Sequence, residues 1–211
     1  MSQMTAEIAV PRPMYCDGCT REATPEHLRR RVERLEWASR FRPVRIGTLF
    51  LTPAPPAEME DYFYFPEEQP AGLDARALQE DLLESCGIAP GDARDRKVLL
   101  RKFQEEGYFL TDCVECPIDF SEAGEFDALL DRIMPTLVRR LRFSYRPKSI
   151  LLISKQLTGV AKALGAMGLE ARLLMPKDGP VSLAKATDAP GRTRFRAKVA
   201  DLLREAGNRS E

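Results

Sequence analysis

The run Ile46-Gly47-Thr48-Leu49-Phe50-Leu51, followed at once by Thr52-Pro53-Ala54-Pro55-Pro56, decides how the chain is read. A short apolar run bounded by turn residues is the pattern of a buried strand. The three prolines after it exclude both a continuing helix and a central sheet position. Working outward, Tyr108–Cys116, Ile150–Ser154 and Glu170–Met175 read as three further strands. Helical patterns fall between them. Thr24-Pro25-Glu26 opens a helix reaching about Ser39, with Thr as N-cap and Pro at the first position. Leu73–Ser85 and Asp92–Glu106 follow, each closed by a glycine (Gly87, Gly107). Phe126, Leu129, Leu130, Ile133, Leu137 and Leu141 mark the face of another helix. Two more are expected, one around Val160 and one over Arg192–Ala206. Strands alternating with helices define an α/β protein: a three-layer α/β/α arrangement around a four-stranded, mostly parallel central sheet. In such sheets a ligand sits outside the carboxyl ends of the strands. The loops Thr52–Phe65, Cys113–Phe120 and Pro176–Ala189 are therefore where a site is expected.

The chain has 211 residues, 44% hydrophobic and 30% charged, which fits one globular domain and excludes collagen-like, membrane-spanning and wholly disordered classes. Its longest apolar runs, such as Ile150–Ile153, fall far short of the ~20 residues that cross a bilayer. Glu7, Pro11 and Pro13 near the start do not read as a signal peptide, so a cytoplasmic location is expected. The net charge of zero conceals a division. Up to Val138 there are 16 Lys+Arg against 26 Asp+Glu; from Arg139 onward the count is 16 against 6. Two readings follow: a basic surface for a polyanion, or two oppositely charged faces that attract each other inside the fold.

The five cysteines include two C-x-x-C pairs, Cys16-Asp17-Gly18-Cys19 and Cys113-Val114-Glu115-Cys116. In a reducing compartment such pairs read as metal ligands or redox dithiols. Cys16, Cys19, Cys113 and Cys116 are the candidate ligands of one tetrahedral site, assembled by the fold across a long gap, with zinc or an iron–sulfur cluster as alternatives. The second pair also fits a buried strand, where cysteine is a small hydrophobe. The only histidine, His27, lies in the first turn of its helix and reads as a surface residue.

The order of these landmarks resembles the uracil-DNA glycosylase superfamily over about Arg45 to Leu203. The matching stretches are Phe50–Pro56 for the water-activating loop after the first strand, and Tyr62–Phe65 for the aromatic that stacks on an extruded base. Leu110-Thr111-Asp112-Cys113 stands at the base-reading second strand, and Arg146-Pro147-Lys148 before the third. Met175–Ser182 takes the place of the loop that grips DNA after the fourth. The resemblance implies residues 1–43 as an N-terminal segment, 44–206 as the glycosylase-like domain and 207–211 as a tail. It implies excision of a DNA base by hydrolysis of an N-glycosidic bond, with Asp112, Lys177 and Asp178 as catalytic candidates. Pro53, Ala54, Tyr62, Phe63 and Tyr64 become base-binding candidates, and Lys185, Arg192, Arg194 and Arg196 DNA-binding ones. DNA is the implied partner. Asp112 stands where the family has Asn, and the family's catalytic-loop His is absent. The iron–sulfur branch implies a [4Fe–4S] cluster; Cys16, Cys19 and Cys116 fit its pattern, but no cysteine stands near Ile133-Met134-Pro135, where its fourth is expected. The alternatives are a catalytically silent nucleic-acid-binding module and a metal-stabilised protein that binds a small molecule in the same cleft.

Overall fold

The computed structural model describes residues 13–65, 72–88, 95–118 and 125–208. The N-terminal dozen residues, the expected start of the third helix at Asp92 and the end of the loop at Phe120 lie outside that range. The first helix, α1, spans Pro25–Arg40; the Thr24 hydroxyl accepts the His27 amide at 3.2 Å and Pro25 takes the first turn. There follow β1 (Thr48–Thr52), α2 (Leu73–Ser85), α3 (Arg96–Glu105), β2 (Tyr108–Asp112) and α4 (Glu125–Arg139). A π-helical turn, Arg140–Tyr145, leads from α4 to β3 (Ser149–Leu152), after which come α5 (Thr158–Ala166), β4 (Leu173–Leu174) and α6 (Ala189–Asn208).

The sheet is wholly parallel, in the order β2-β1-β3-β4. All five residues of β1 are buried, so both sheet faces are covered, as a parallel sheet requires. Phe50 stacks on Phe103 of α3 at 5.7 Å between ring centres, and Leu49 and Leu51 alternate with it into the opposite layer. The expected apolar face of α4 is the buried one: Phe126, Leu130, Ile133, Leu137 and Leu141 lie below a tenth exposed. Gly107 closes α3 with φ of 77°, the left-handed backbone that glycine adopts without strain. Its carbonyl accepts the Gly47 amide at 2.8 Å and so sets the register of β1 against β2.

All four strands are shorter than the sequence pattern suggests, β2 and β4 by the most. β2 stops at Asp112, because Cys113–Cys116 bends away; the Val114 amide is tied to the Pro53 carbonyl instead of continuing the ladder. β4 is two residues long, because Glu170–Arg172 coils into a 3₁₀ turn.

As an edge strand, β2 has outward-facing backbone groups that need partners. Tyr64 supplies them: its hydroxyl accepts the Leu110 amide at 2.8 Å and donates to the Leu110 carbonyl at 3.1 Å. Tyr64 is fully buried, stacked between Phe41 and Phe109. Replacing it by Phe strands both Leu110 groups in the core, at an expected cost of about 1–3 kcal/mol in urea denaturation. An unchanged denaturation midpoint would show that the edge is covered in some other way.

Candidate metal centre and cleft

Cys16–Cys19 sits in a tight knuckle. The Cys16 amide donates to the Arg21 carbonyl and the Thr20 amide to the Cys16 carbonyl, both at 2.7 Å, while Tyr15 and Glu22 pair antiparallel. The turn forces Thr20 to φ of 62°, a region that β-branched residues avoid. Such strain persists where the surroundings over-determine it, commonly at a site. The knuckle turns both sulfurs toward α1 and toward the bend after β2.

Four side chains converge there: Cys16, Cys19, His27 and Cys116, with their ligand atoms all within 4.8 Å of one another. The Cys16 and Cys116 sulfurs are 3.7 Å apart, and His27 Nε2 lies 3.4 Å from Cys19 Sγ and 3.3 Å from Cys116 Sγ. An ion with metal–sulfur bonds of about 2.3 Å in a tetrahedral shell needs ligand atoms about 3.8 Å apart, so the group can hold one metal ion. All three cysteines are buried. Cys116 lends a hydrogen bond to Cys19, which draws the Cys19 thiol down to about 5 and holds the Cys116 thiol well up. Three sulfurs at this spacing do not all ionise without a cation between them.

Cys113, the other expected ligand, is outside this group. It is buried at the end of the sheet, its amide donating to the Thr52 carbonyl at 2.8 Å, and burial pushes its thiol up. The bend after β2 points alternate residues opposite ways, so Cys116 faces α1 while Cys113 stays in the core. His27 takes the vacant corner. It is half-buried, because the N-cap at Thr24 starts α1 where its first turn meets the knuckle.

A half-buried ionic chain lies beside the centre. Arg31 of α1 reaches Asp17, Glu115 and, at 3.5 Å, the Cys16 sulfur. Glu115 also takes Arg140 at 2.6 Å, and Arg140 donates to the Asp112 and Cys113 carbonyls. Arg31 faces the Cys16 sulfur, and the chain links the knuckle to the end of β2.

A cleft of about 730 Å³ opens at the carboxyl ends of β1 and β2, where the parallel sheet directs a ligand. Thr52 and Asp112, register partners at the strand ends, form its floor. Ala54, Tyr62, Phe63 and Lys185 also line it. The Thr52 hydroxyl donates to Asp112 Oδ1 at 2.6 Å. Burial pushes the Asp112 carboxyl up to about 7, against the lowering effects of Thr52, Arg140 and Arg34. A carboxyl titrating there divides its time near neutrality between an acceptor-only anion and an acid with one donor and one acceptor. Asp61 and Asp74 also border the cleft, but each is engaged: Asp61 accepts the Gly72 amide at 2.6 Å, and Asp74 the Ala186 amide at 2.8 Å.

Of the other expected site residues, Pro53 lies behind the loop with its carbonyl on Val114, and Tyr64 belongs to the core. Lys177 and Asp178 are exposed and outside the cleft lining; Asp178 pairs with Lys198 at 2.8 Å. Arg192 is held by Glu80 and Asp81 of α2, and Arg196 by Asp81 and Glu84. Arg194 is exposed beside the buried Phe195. Along α2 and α6, then, the basic C-terminal third meets the acidic part of the chain within the fold. Among the described residues no helix is long and apolar enough to cross a membrane. Comparison with protein families, with curated proteins and with solved structures gave no match.

Proposed function

We propose that this is a zinc-stabilised α/β protein that holds an extruded nucleobase in its cleft and acts in DNA base excision. The buried Asp112 carboxyl at the floor of an aromatic-walled cleft carries the reading. A base that leaves a duplex needs apolar walls for its faces and polar groups for its edge. Tyr62 and Phe63 offer the first. Asp112 offers the second: its protonated form pairs a donor with an acceptor, as an asparagine amide does, and meets the acceptor and the N–H that uracil presents side by side. Thr52 fixes the orientation of the carboxyl. The ionised form suits a donor-rich edge, or takes a proton from water. Lys185, an exposed cation in the cleft lining, is available for a flanking phosphate.

Zinc is favoured for the Cys16–Cys19–His27–Cys116 group because three thiolates and one imidazole at tetrahedral spacing suit it. Four protein ligands close the shell, so the ion's contribution is to bind the knuckle to the sheet rather than to do chemistry.

Base release from labelled single- and double-stranded DNA carrying uracil, hypoxanthine or xanthine tests the excision reading. Release is expected on at least one substrate, falling roughly 100-fold or more in Asp112→Ala, as for loss of a group that acts on the reacting base. Absence of release on every substrate overturns it. One observation favours a second reading, a cleft that binds a small planar heterocycle without excision. Arg192 and Arg196, the expected phosphate contacts, are neutralised by α2. Salt-independent binding of free nucleosides would mark that case.

A further inference from the structure

The amino ends of β1, β3 and β4, at the end of the sheet opposite the cleft, gather cations that the fold leaves without counter-charges. Arg42 and Arg45 come from the loop before β1, Arg142 and Arg146 from the π-helical turn and its cap, Lys148 from the residue before β3 and Arg172 from the residue before β4. All six are exposed. Backbone anchors bring them together. The Arg42 guanidinium donates to the Ser144 carbonyl and lies 5.1 Å from the centre of the Tyr145 ring. Arg142 donates to the Met167 carbonyl, and Arg172 to that of Pro147 at 3.4 Å. The Lys148 amide donates to the Ile46 carbonyl at 3.1 Å, which sets it beside Arg45. Among the described residues none of the six forms an ion pair, although Glu106 and Glu170 are exposed nearby in sequence.

This end differs from α6, where Arg192 and Arg196 meet carboxylates of α2. The positive excess of the C-terminal third therefore divides: one part is neutralised within the fold, and another is left exposed here. Like charges held together raise the local potential and attract a polyanion. The turn has two further marks. A π-helical turn is rare and is frequent at functional sites. Arg146, its cap, has φ of 48°, held by its amide on the Leu141 carbonyl at 2.9 Å; among the described residues only Thr20, in the metal knuckle, is also a non-glycine residue with positive φ. Within the same turn Phe143 is 75% exposed.

We propose that this end of the sheet binds single-stranded nucleic acid, with the six cations on its phosphates and Phe143 as the platform on which a base stacks. Cations that track a backbone, together with an aromatic face open to unpaired bases, are what a single strand requires. Five of the six cations are arginines, whose forks match phosphate oxygens. A membrane surface instead calls for a broad apolar face. Here Val44, Phe143 and Met167 are exposed on three separate segments, and no helix presents them together. The assignment stands whether or not the cleft excises a base.

The test uses metal-loaded, full-length protein and a fluorescent dT oligonucleotide of about 15 nucleotides, which offers the cleft no uracil, hypoxanthine or xanthine. Anisotropy is read between about 50 and 200 mM salt. Wild type is expected to bind and to weaken as salt rises. Arg142→Gln combined with Arg146→Asn is expected to make the log–log salt slope shallower by about 1.4, the value for two lost single-strand phosphate contacts. Asparagine accepts the left-handed backbone at position 146, and an unchanged thermal midpoint verifies folding. Should that variant fail to fold, Arg45→Gln is the readout, with a slope change of about 0.7. Phe143→Ser is expected to weaken binding about fivefold or more and to leave the slope unchanged. No binding at the lowest salt, or wild-type affinity and slope in the folded charge variants, overturns the assignment. So does a duplex bound as tightly as the single strand with Phe143→Ser silent. Phosphatidylserine vesicles bound in preference to the oligonucleotide, and released by the same variants, would assign a membrane instead. Base release is scored on separate substrates, so a silent cleft and a face that binds no strand give different patterns.

Discussion

Purified under reducing conditions, the protein is expected to carry one zinc ion per chain, and removing it with a chelator is expected to lower the thermal midpoint by roughly 10–15 °C. That magnitude follows from what the ion joins. Cys16 and Cys19 sit in the N-terminal knuckle, His27 on α1 and Cys116 after β2. A covalent bridge closing a loop of about 100 residues contributes about 4–5 kcal/mol. For a chain of this size each kcal/mol moves the midpoint by about 2–4 °C. Without the ion, nothing ties the four side chains to one another and the Thr20 strain has nothing to hold it. Alanine at Cys16, Cys19, His27 or Cys116 is expected to reduce zinc content by at least tenfold. Cys113→Ala is the informative control and should retain the ion. Iron and acid-labile sulfide in the isolated protein, or equal metal loss from Cys113→Ala, would refute the assignment.

The second large effect lies in the pH dependence of Asp112. Its carboxyl moves from an ordinary 3.8 to about 7 in the fold, chiefly through burial. Below about pH 4 the folded and unfolded chains both hold the proton, and the group favours neither. Between about 4 and 7 the folded chain holds a proton that the unfolded chain has released, so raising the pH favours unfolding. Above about 7 the buried carboxylate is ionised and the loss is complete. A shift of about three units corresponds to an upper limit of about 4 kcal/mol. Asp112 lines an open cleft where water meets the anion, so about 2 kcal/mol is the expected change. Asp112→Asn removes the titration while keeping shape and donors. Its stability should cross from near parity with wild type at about pH 4 to an advantage of about 2 kcal/mol above pH 7. Urea denaturation across that window measures it, and parallel curves would show that Asp112 is not held as argued. If the cleft reads a base edge as proposed, this same variant keeps binding at high pH where the wild type loses it.

Much of the architecture was legible in short-range signals. The cap at Thr24-Pro25, the span Leu73–Ser85 and the α4 stripe all match, because caps and helical periodicity are local. Strand ends were harder to read. Cys113, Val114 and Cys116 are as buried as any strand residue, so hydrophobicity alone carried the second strand past Asp112. The site was half legible for a related reason. Cys16, Cys19 and Cys116 announce themselves by residue type. His27 does not, since a single histidine in a first turn is common on surfaces. The available clue was its place eight residues after Cys19, just past an N-cap that aims the first turn back at the knuckle. The ion pairs of Arg192 and Arg196 were not legible because their partners on α2 lie more than a hundred positions away. The buried position of Tyr64 was not legible, because nothing in a run of four aromatics tells which one turns inward to the edge strand.

The spacing of the four metal ligands also bears on the order of assembly. Three of them, at positions 16, 19 and 27, lie within a dozen residues, and the fourth arrives from position 116. Closing the short loops costs the unfolded chain little, whereas recruiting Cys116 requires that β1 and β2 first find their parallel register. An emerging chain can therefore seize its ion early and incompletely, with solvent in the fourth position. Capture of that position by Cys116 comes last, as a latch that shuts once the sheet is in place.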